Sequence, residues 1–297
     1  MNFNRIFVLG AGAIGSAYGA MLSRRNDVTL IGAESQVEVV NSEGLRVSGD
    51  VKEVFHVKAD TAIRQLLPER SLVLLTTKAY DSEKAVESIR PFVRKDTVIL
   101  VLQNGLGNEQ TVRRIIAGRC KAIRAVTSAA AELAKLGQVR FRKGETVIEQ
   151  APEAQDVART FNECLLSTRI SGDMQNEVWT KLVANCVINP LTAILRVRTR
   201  EIGAESLKPV RRTIVDECTA VGHAERILFP ADLTDKIDHD IQGYVNYSSM
   251  CQDLMNGRHT EIDFINGKIV ELGNKHGIST PANLVLTCLI KFAEGKR

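Results

Sequence analysis

No two of the six cysteines in this chain form a paired motif. Cys120, Cys164, Cys186, Cys218, Cys251 and Cys288 are widely spaced, and no CxxC occurs. That argues against a disulfide framework and against zinc-ligand spacing. It reads as buried free thiols in a cytoplasmic protein with no metal site. No stretch approaches the apolar length of a membrane span. The N-terminal segment lacks a basic stretch, an apolar core and a cleavage site in series, and its first apolar run reads as a strand. No membrane partner is therefore expected. Internal repeats and low-complexity tracts are missing as well. So is any strong charge excess: 39 Lys and Arg against 35 Asp and Glu give a formal net charge of +4, scattered along the chain. That balance suits a small anionic ligand and argues against nucleic acid.

What is present is ordinary core-forming material. Of the 297 residues, 44% are hydrophobic and 25% charged, and the length suggests two domains. The most informative stretch is the apolar run Ile6 to Leu9, which ends on Gly10-Ala11-Gly12-Ala13-Ile14-Gly15 and passes into a helical pattern. A glycine turn between a strand and a helix suits a dinucleotide pyrophosphate. The first glycine makes the turn, the second lets backbone approach phosphate, and the third lets the helix pack. The helix N-terminus then aims unpaired N–H groups at the anion. The competing reading is a bare turn in an α/β fold. Gly19 extends the small face along which the helix can approach the sheet.

Strand and helix patterns alternate through the first half. Strands are expected at Val28 to Ile31, Ser71 to Thr77 and Thr97 to Leu102, with short ones at Leu45 to Val47 and Val54 to Val57. Further strands are expected near Ala122 to Thr127, Gln138 to Phe141 and Thr146 to Glu149. Helices are expected at Ser82 to Ile89, Glu109 to Ile116 and Asp156 to Leu166. Repeated βα units imply a mostly parallel sheet. Beyond about Ser171 helical patterns take over: Asn176 to Leu195, Leu207 to Arg226, Ser248 to Met255, Ile262 to Lys275 and Pro281 to Glu294. The expectation is an α/β Rossmann-type domain over 1–172 and an all-α second domain over 173–297.

Three groups of residues can carry chemistry. Lys181, Asn185 and Asn189 recur every four residues on one predicted helix, so they share a face. If that face is covered, an ammonium and two amides cannot stay unpaired without large cost. Covered by a ligand, they offer donors to hydroxyls and carbonyl oxygens. The plain alternative is the polar outer stripe of a surface helix. Pro190 tells slightly against it, because a proline inside a helix removes a bond. In the second group, Ser248 or Ser249 can cap one helix and Thr260 another, with Glu261 favourable in a first turn. Asn266-Gly267 is a costly pair inside a helix unless backbone or ligand packs closely there. Third, Lys78 and Asn104 follow strands at their C-terminal ends, the edge where open α/β sheets bind ligands. Their plain reading is ordinary loop residues.

Taken in order, these segments resemble the ketopantoate reductase family over nearly the whole chain. The matching stretches are Gly10 to Gly15, Thr77-Lys78-Ala79, Gln103-Asn104-Gly105, Lys181 to Ala193, Ser248 to Asp253 and Arg258 to Gly267. The last three are specific; the glycine motif is not. The resemblance implies NADPH-dependent reduction of 2-dehydropantoate to (R)-pantoate, toward pantothenate and coenzyme A. It implies Lys181 as general acid, with Asn185, Asn189, Ser249 and Asn104 holding substrate. Gly10, Ala11, Gly12, Ala13, Ile14, Gly15, Lys78, Asn104 and Glu261 would hold cofactor, with Ala130 in Thr127 to Ala131 as a backbone contact. A homodimer is the family expectation.

Two departures stand out. Many members place an arginine after the second strand, to meet the 2′-phosphate of NADPH. Here the stretch reads Leu30-Ile31-Gly32-Ala33-Glu34-Ser35. Glu34 can instead accept from a ribose hydroxyl, which favours NADH; alternatively Lys78 or Arg24 approaches the phosphate and Ser35 bonds it. Where the family often has a further substrate asparagine, the chain has Arg196-Val197-Arg198-Thr199-Arg200, and Thr199 could donate one hydrogen bond. The competing functions are a reductase of another branched 2-keto acid and a dinucleotide-binding sensor without catalysis.

Overall fold

Uninterrupted Val, Ile and Leu runs suit strands covered on both faces. In the structure, a computed structural model describing residues 3–296, four such runs lie side by side at the centre of a sheet. The chain divides into two compact units. The first holds the chain up to Gln103 together with Gly107–Met174, and the second holds Asn104–Leu106 with the chain from Gln175 onward.

The strands of the first unit are β1 (Arg5–Leu9), β2 (Val28–Ile31), β3 (Leu45–Gly49), β4 (Glu53–Phe55), β5 (Lys58–Asp60) and β6 (Ser71–Leu75). They continue as β7 (Val98–Val101), β8 (Lys121–Thr127), β9 (Ala130–Lys135), β10 (Gln138–Arg142), β11 (Thr146–Glu149) and β12 (Thr168–Ser171). Eight form one sheet in the order β12-β11-β8-β7-β6-β1-β2-β5, and four form a second in the order β4-β3-β10-β9. Every pair in the larger sheet is parallel except β11 with β8. The helices of this unit are α1 (Ala13–Leu22), α2 (Glu34–Glu43), α3 (Ser82–Ile89), α4 (Asn108–Ile116) and α5 (Ala154–Glu163).

Alternate residues of each central strand enter opposite faces. Ile6, Val8, Leu30, Leu72, Leu74 and Leu100 join the layer that contains α1 and α5. Phe7, Leu9, Val73, Leu75, Ile99 and Val101 join the layer of α3 and α4. Gly19 is what lets α1 lie close to the sheet: a Cβ there would collide with Leu30 Cδ2 and press on Val8 Cγ2. Its neighbour in the chain, fully buried Tyr18, has its hydroxyl 2.7 Å from both Thr127 Oγ1 and Thr146 Oγ1, so its burial leaves no polar atom unpaired.

The second unit contains α6 (Met174–Leu195), α7 (Lys208–Ala224), α8 (Leu233–Gly243), α9 (Ser249–Met255), α10 (Asn266–His276) and α11 (Pro281–Glu294). Its core gathers Leu182, Val183, Cys186 and Val187 of α6 with Ile214 and Cys218 of α7 and Ile290 of α11. Pro190 lies inside α6 and has no N–H to give the Cys186 carbonyl one turn back. An interior proline costs a helix about 3 kcal/mol. Asn266 supplies the missing donor: its Nδ2 reaches the Cys186 carbonyl at 3.0 Å and Asn283 Oδ1 at 2.9 Å. Asn283 Nδ2 in turn donates to Glu217 Oε2 at 2.8 Å. The same Glu217 carboxylate accepts from the backbone N–H of Ala282 and of Asn283 at the start of α11. Buried Asn266, Asn283 and Glu217 thus tie α6, α7, α10 and α11 together.

Several expectations need correction. The helix expected over Ile262 to Lys275 is a short 3-10 turn, Ile262–Phe264, then a break at Ile265 before α10. The break arises because Leu106 N–H takes the Phe264 carbonyl (3.3 Å) that would have continued the helix. Cys288 is exposed, while the other five cysteines are buried. The expectation that no stretch approaches the apolar length of a membrane span also fails: α6 has 22 residues and an 18-residue window of mean hydropathy 1.4, enough to cross a membrane by length and composition. Three polar residues at four-residue spacing break its unbroken runs, and 67% of that window is buried inside the protein.

Glu217→Ala removes the acceptor for two backbone donors and one buried amide. Urea unfolding should show a loss of about 2–4 kcal/mol. A loss under about 0.5 kcal/mol, the surface-substitution range, would contradict this account of the second unit.

Candidate active site

In the first unit the glycine turn is built from backbone contacts. Gly10 has φ +116°, and a Cβ there would lie 2.5 Å from Thr77 N, so only glycine fits. The Gly10 and Ala11 N–H groups both donate to the Ile31 carbonyl at 2.9 Å, binding the turn to the end of β2. A Cβ on Gly15 would collide with the Gly10 carbonyl and crowd Thr76 Oγ1, whose hydroxyl already donates to that carbonyl at 2.9 Å. Gly12 differs: nothing lies within 4 Å of the place its Cβ would occupy. This open side is where a phosphate can approach. Gly12 also opens α1, whose first turn carries no side-chain cap and no acid. The free N–H groups of Ala13, Ile14 and their neighbours suit an anion there. These residues fit the pyrophosphate of a dinucleotide.

Lys78 follows β6 at the same sheet edge as the turn. Its loop is pinned by Gln103, a residue whose role its position in the sequence does not disclose. Buried Gln103 donates from Nε2 to the Thr77 carbonyl and to Ser82 Oγ, both at 2.7 Å. Ala130 begins β9, a strand of the smaller sheet, which packs against α1.

The second unit collects the other predicted residues. Lys181, Asn185 and Asn189 lie along one side of α6, and Asn185 and Asn189 are buried while Lys181 is half-buried. This burial removes the surface-stripe alternative. Among the described residues none of the three side chains has a hydrogen-bond partner, and Asn185 Nδ2 is fully enclosed without an acceptor. Burial pushes the Lys181 ammonium below the ordinary lysine pKa, and the Asp240 carboxylate on α8 opposes the shift. Thr192, one turn beyond Asn189, donates to Ser248 Oγ at 2.7 Å. Ser248 in turn accepts from Cys251 N at 3.1 Å and caps α9. That division of labour leaves Ser249, at the start of α9, with a half-buried hydroxyl that no described residue occupies.

Asn104 and Glu261 reach the same unit through the turn at Phe264. Gly105 has φ +83°, and a Cβ there would lie 2.5 Å from the Phe264 carbonyl, so only glycine permits this approach. Phe264 N–H donates back to the Glu261 carbonyl at 3.0 Å, and Thr260 Oγ1 accepts from Ile262 N at 3.2 Å. Glu261 is buried. The structure thus brings Asn104, Lys181, Asn185, Asn189, Ser249 and Glu261 into one unit, and Gly10 to Gly15, Lys78 and Ala130 into the other. Thr199 does not serve as expected: it is buried, and its hydroxyl donates to the Asn246 carbonyl at 3.0 Å. Chemically, the α6 row offers a strengthened acid and neutral donors suited to a small oxygen-rich anion.

Comparison with known proteins shows what the chain is similar to. A family model described as ketopantoate reductase PanE/ApbA matches residues 6–153, and its C-terminal counterpart matches residues 173–294. A 2-dehydropantoate 2-reductase of Pyrococcus horikoshii is 36% identical over 299 residues, covering 98% of this chain and 97% of the relative. A PanE/ApbA family ketopantoate reductase structure from Ralstonia eutropha superposes with TM-score 0.89 at 32% identity, covering 98% and 99% of the two chains. A ternary structure of D-mandelate dehydrogenase with NADH and anilino(oxo)acetate superposes with TM-score 0.89 at 28% identity, covering 98% of each.

The depressed Lys181 pKa carries a stability signature. Below the folded-state value both folded and unfolded lysines are charged, and the burial cost is fully present. As pH rises through that value toward 10.5, the folded state sheds its proton and the cost fades. Lys181→Met should therefore have a higher Tm than the parent at pH 7, with the gap narrowing as pH approaches 10.5. A variant less stable than the parent at pH 7 would show that the ammonium is well solvated or paired.

Proposed function

Because the chain belongs to the ketopantoate reductase (PanE/ApbA) family of oxidoreductases, we propose that it reduces 2-dehydropantoate to (R)-pantoate, toward pantothenate and coenzyme A. The observation that carries this reading is the unpartnered row Lys181, Asn185, Asn189 along α6. Such groups are costly without a ligand, and their chemistry matches a 2-keto acid that also bears a hydroxyl.

A bound nicotinamide dinucleotide supplies the hydride. Gly10, Ala11, Gly12, Ala13, Ile14 and Gly15 would hold its pyrophosphate, and Lys78, Asn104, Ala130 and Glu261 are the further cofactor residues in this reading. Lys181 Nζ hydrogen-bonds the keto oxygen. As that oxygen gains negative charge, the ammonium stabilises it more strongly than water would, because the site is poorly solvated. Lys181 then passes its proton to the oxygen, and its lowered pKa makes that transfer easier. Asn185, Asn189 and Ser249 donate to the carboxylate and hydroxyl of the substrate and fix which face of the ketone is presented. A structural helix stripe explains none of these open donors.

A second reading, reduction of a bulkier 2-keto acid, is favoured by one observation. Thr199 has its hydroxyl committed to Asn246 and donates nothing more. The likeness to D-mandelate dehydrogenase points the same way. Catalytic efficiencies on 2-dehydropantoate and on bulkier branched and aryl keto acids separate the two: the leading reading requires 2-dehydropantoate to be the best substrate.

Lys181→Ala should keep its circular dichroism spectrum and lower kcat about a hundredfold or more, the scale of losing a positioned acid. An unchanged kcat would remove Lys181 from the mechanism; dinucleotide binding with no turnover of any keto acid by the parent chain would favour a non-catalytic sensor.

A further inference from the structure

We infer that the dinucleotide taken by the glycine turn is the non-phosphorylated one, NADH, selected at its adenosine ribose by Glu34. The inference rests on the proposed reading of that turn as a dinucleotide cradle. In such cradles the acid that reads the ribose diol stands at the end of the second strand, about 20 residues past the glycines. Glu34 meets that geometry. β2 ends at Ile31, whose carbonyl is held by Gly10 N–H and Ala11 N–H, so the loop after β2 lies directly against the turn. Gly32 approaches so closely that a Cβ there would sit 2.7 Å from Ala11 Cβ. Two residues on, Glu34 opens α2, exposed, with no hydrogen-bond or ion-pair partner among the described residues.

Among the described residues, three cations are candidates to serve a 2′-phosphate at this corner, and Arg24 and Arg64 are engaged while Lys78 follows a strand that does not adjoin β2. Arg24 stands past the end of α1, about 16 Å along the helix from the turn. Its guanidinium pairs with Glu53 at 2.5 Å and stacks over Phe55. Arg64, just beyond the neighbouring strand β5, is held by Asp60 Oδ1 at 2.7 Å and Thr61 Oγ1 at 2.7 Å. The Asp60 carboxylate is itself kept below the usual range by that arginine. Lys78 follows β6, and β1 separates β6 from β2 in the sheet. Gln36 is buried, giving Nε2 to Ser16 Oγ and accepting from Gly137 N–H. A ribose diol facing Glu34 forms a charge-assisted hydrogen bond. A 2′-phosphate there would set its own charge against the carboxylate, which discriminates against NADPH by repulsion as well as by lost bonding.

The test uses the full chain with no keto acid present, titrating NADH and NADPH separately by nicotinamide fluorescence. The expected result is NADH bound at least about tenfold more tightly, the scale of one charge-assisted hydrogen bond formed by the diol and one like-charge repulsion met by the phosphate. Glu34→Gln should erase most of that ratio, weakening NADH by loss of the charge-assisted bond and strengthening NADPH by loss of the repulsion, and Glu34→Arg should reverse it. Equal or tighter binding of NADPH by the parent chain overturns the inference, as does an unchanged ratio in Glu34→Gln. Failure of both dinucleotides to bind overturns it together with the cradle reading. Selective NADH binding without turnover of any keto acid supports the inference and removes the proposed reaction instead.

Discussion

A buried polar group without a partner is the constraint around which this chain is organised. α6 carries Lys181, Asn185 and Asn189 toward the interior on one side and packs Leu182, Val183, Cys186 and Val187 into the core of its unit on the other. Elsewhere in the second unit the Glu217 carboxylate, both ends of the Asn283 amide and the Asn266 Nδ2 are bonded, although Asn266 Oδ1 and Asn246 Oδ1 are buried without a partner. Against that background, three open side chains on one helix mark a place where the protein gives up stability for ligand chemistry. The depressed Lys181 pKa is the electrostatic trace of the same choice.

The supporting structure serves that row. Pro190 frees the Cys186 carbonyl, and Asn266 takes it, so α6 carries its proline without an orphaned acceptor. Thr192 grips Ser248, the cap of α9, and so holds the start of α9, with Ser249, against α6. In the other unit, Gly10 and Gly15 make the turn and Gly12 leaves room for an anion. Rigid elements therefore hold each group that the proposed chemistry needs.

Much of this was legible in the sequence. The central strands were readable because two-sided burial removes polar residues from them. The glycine turn was readable because backbone approach demands glycine whatever the neighbours are. Spacing put the α6 trio on one face but left a solvated stripe open as the alternative, and only burial in the fold removes that alternative. Less visible were β5, β9 and β12, short strands with charged or half-buried residues, and α8, whose core contacts are only Leu233, Ile237 and Ile241. The break at Ile265 could not be read locally, since it depends on Leu106, distant in sequence. The roles of Gln103 and Thr192 escaped for the same reason, and Asn266, singled out as a costly helix residue, showed its partner only in the fold. Thr199 misled because a hydroxyl in sequence says nothing of which carbonyl it already serves.

The central claim, that a poorly solvated Lys181 ammonium delivers the proton, is tested most directly by initial rates of keto-acid reduction across pH. A required acid must be protonated, so kcat/KM should fall with rising pH at an apparent pKa below the ordinary lysine value of 10.5. In Asp240→Asn, which removes the opposing carboxylate, the falling limb should move to still lower pH. A rate that stays level beyond pH 10.5, or a limb that Asp240→Asn leaves in place, would contradict the account.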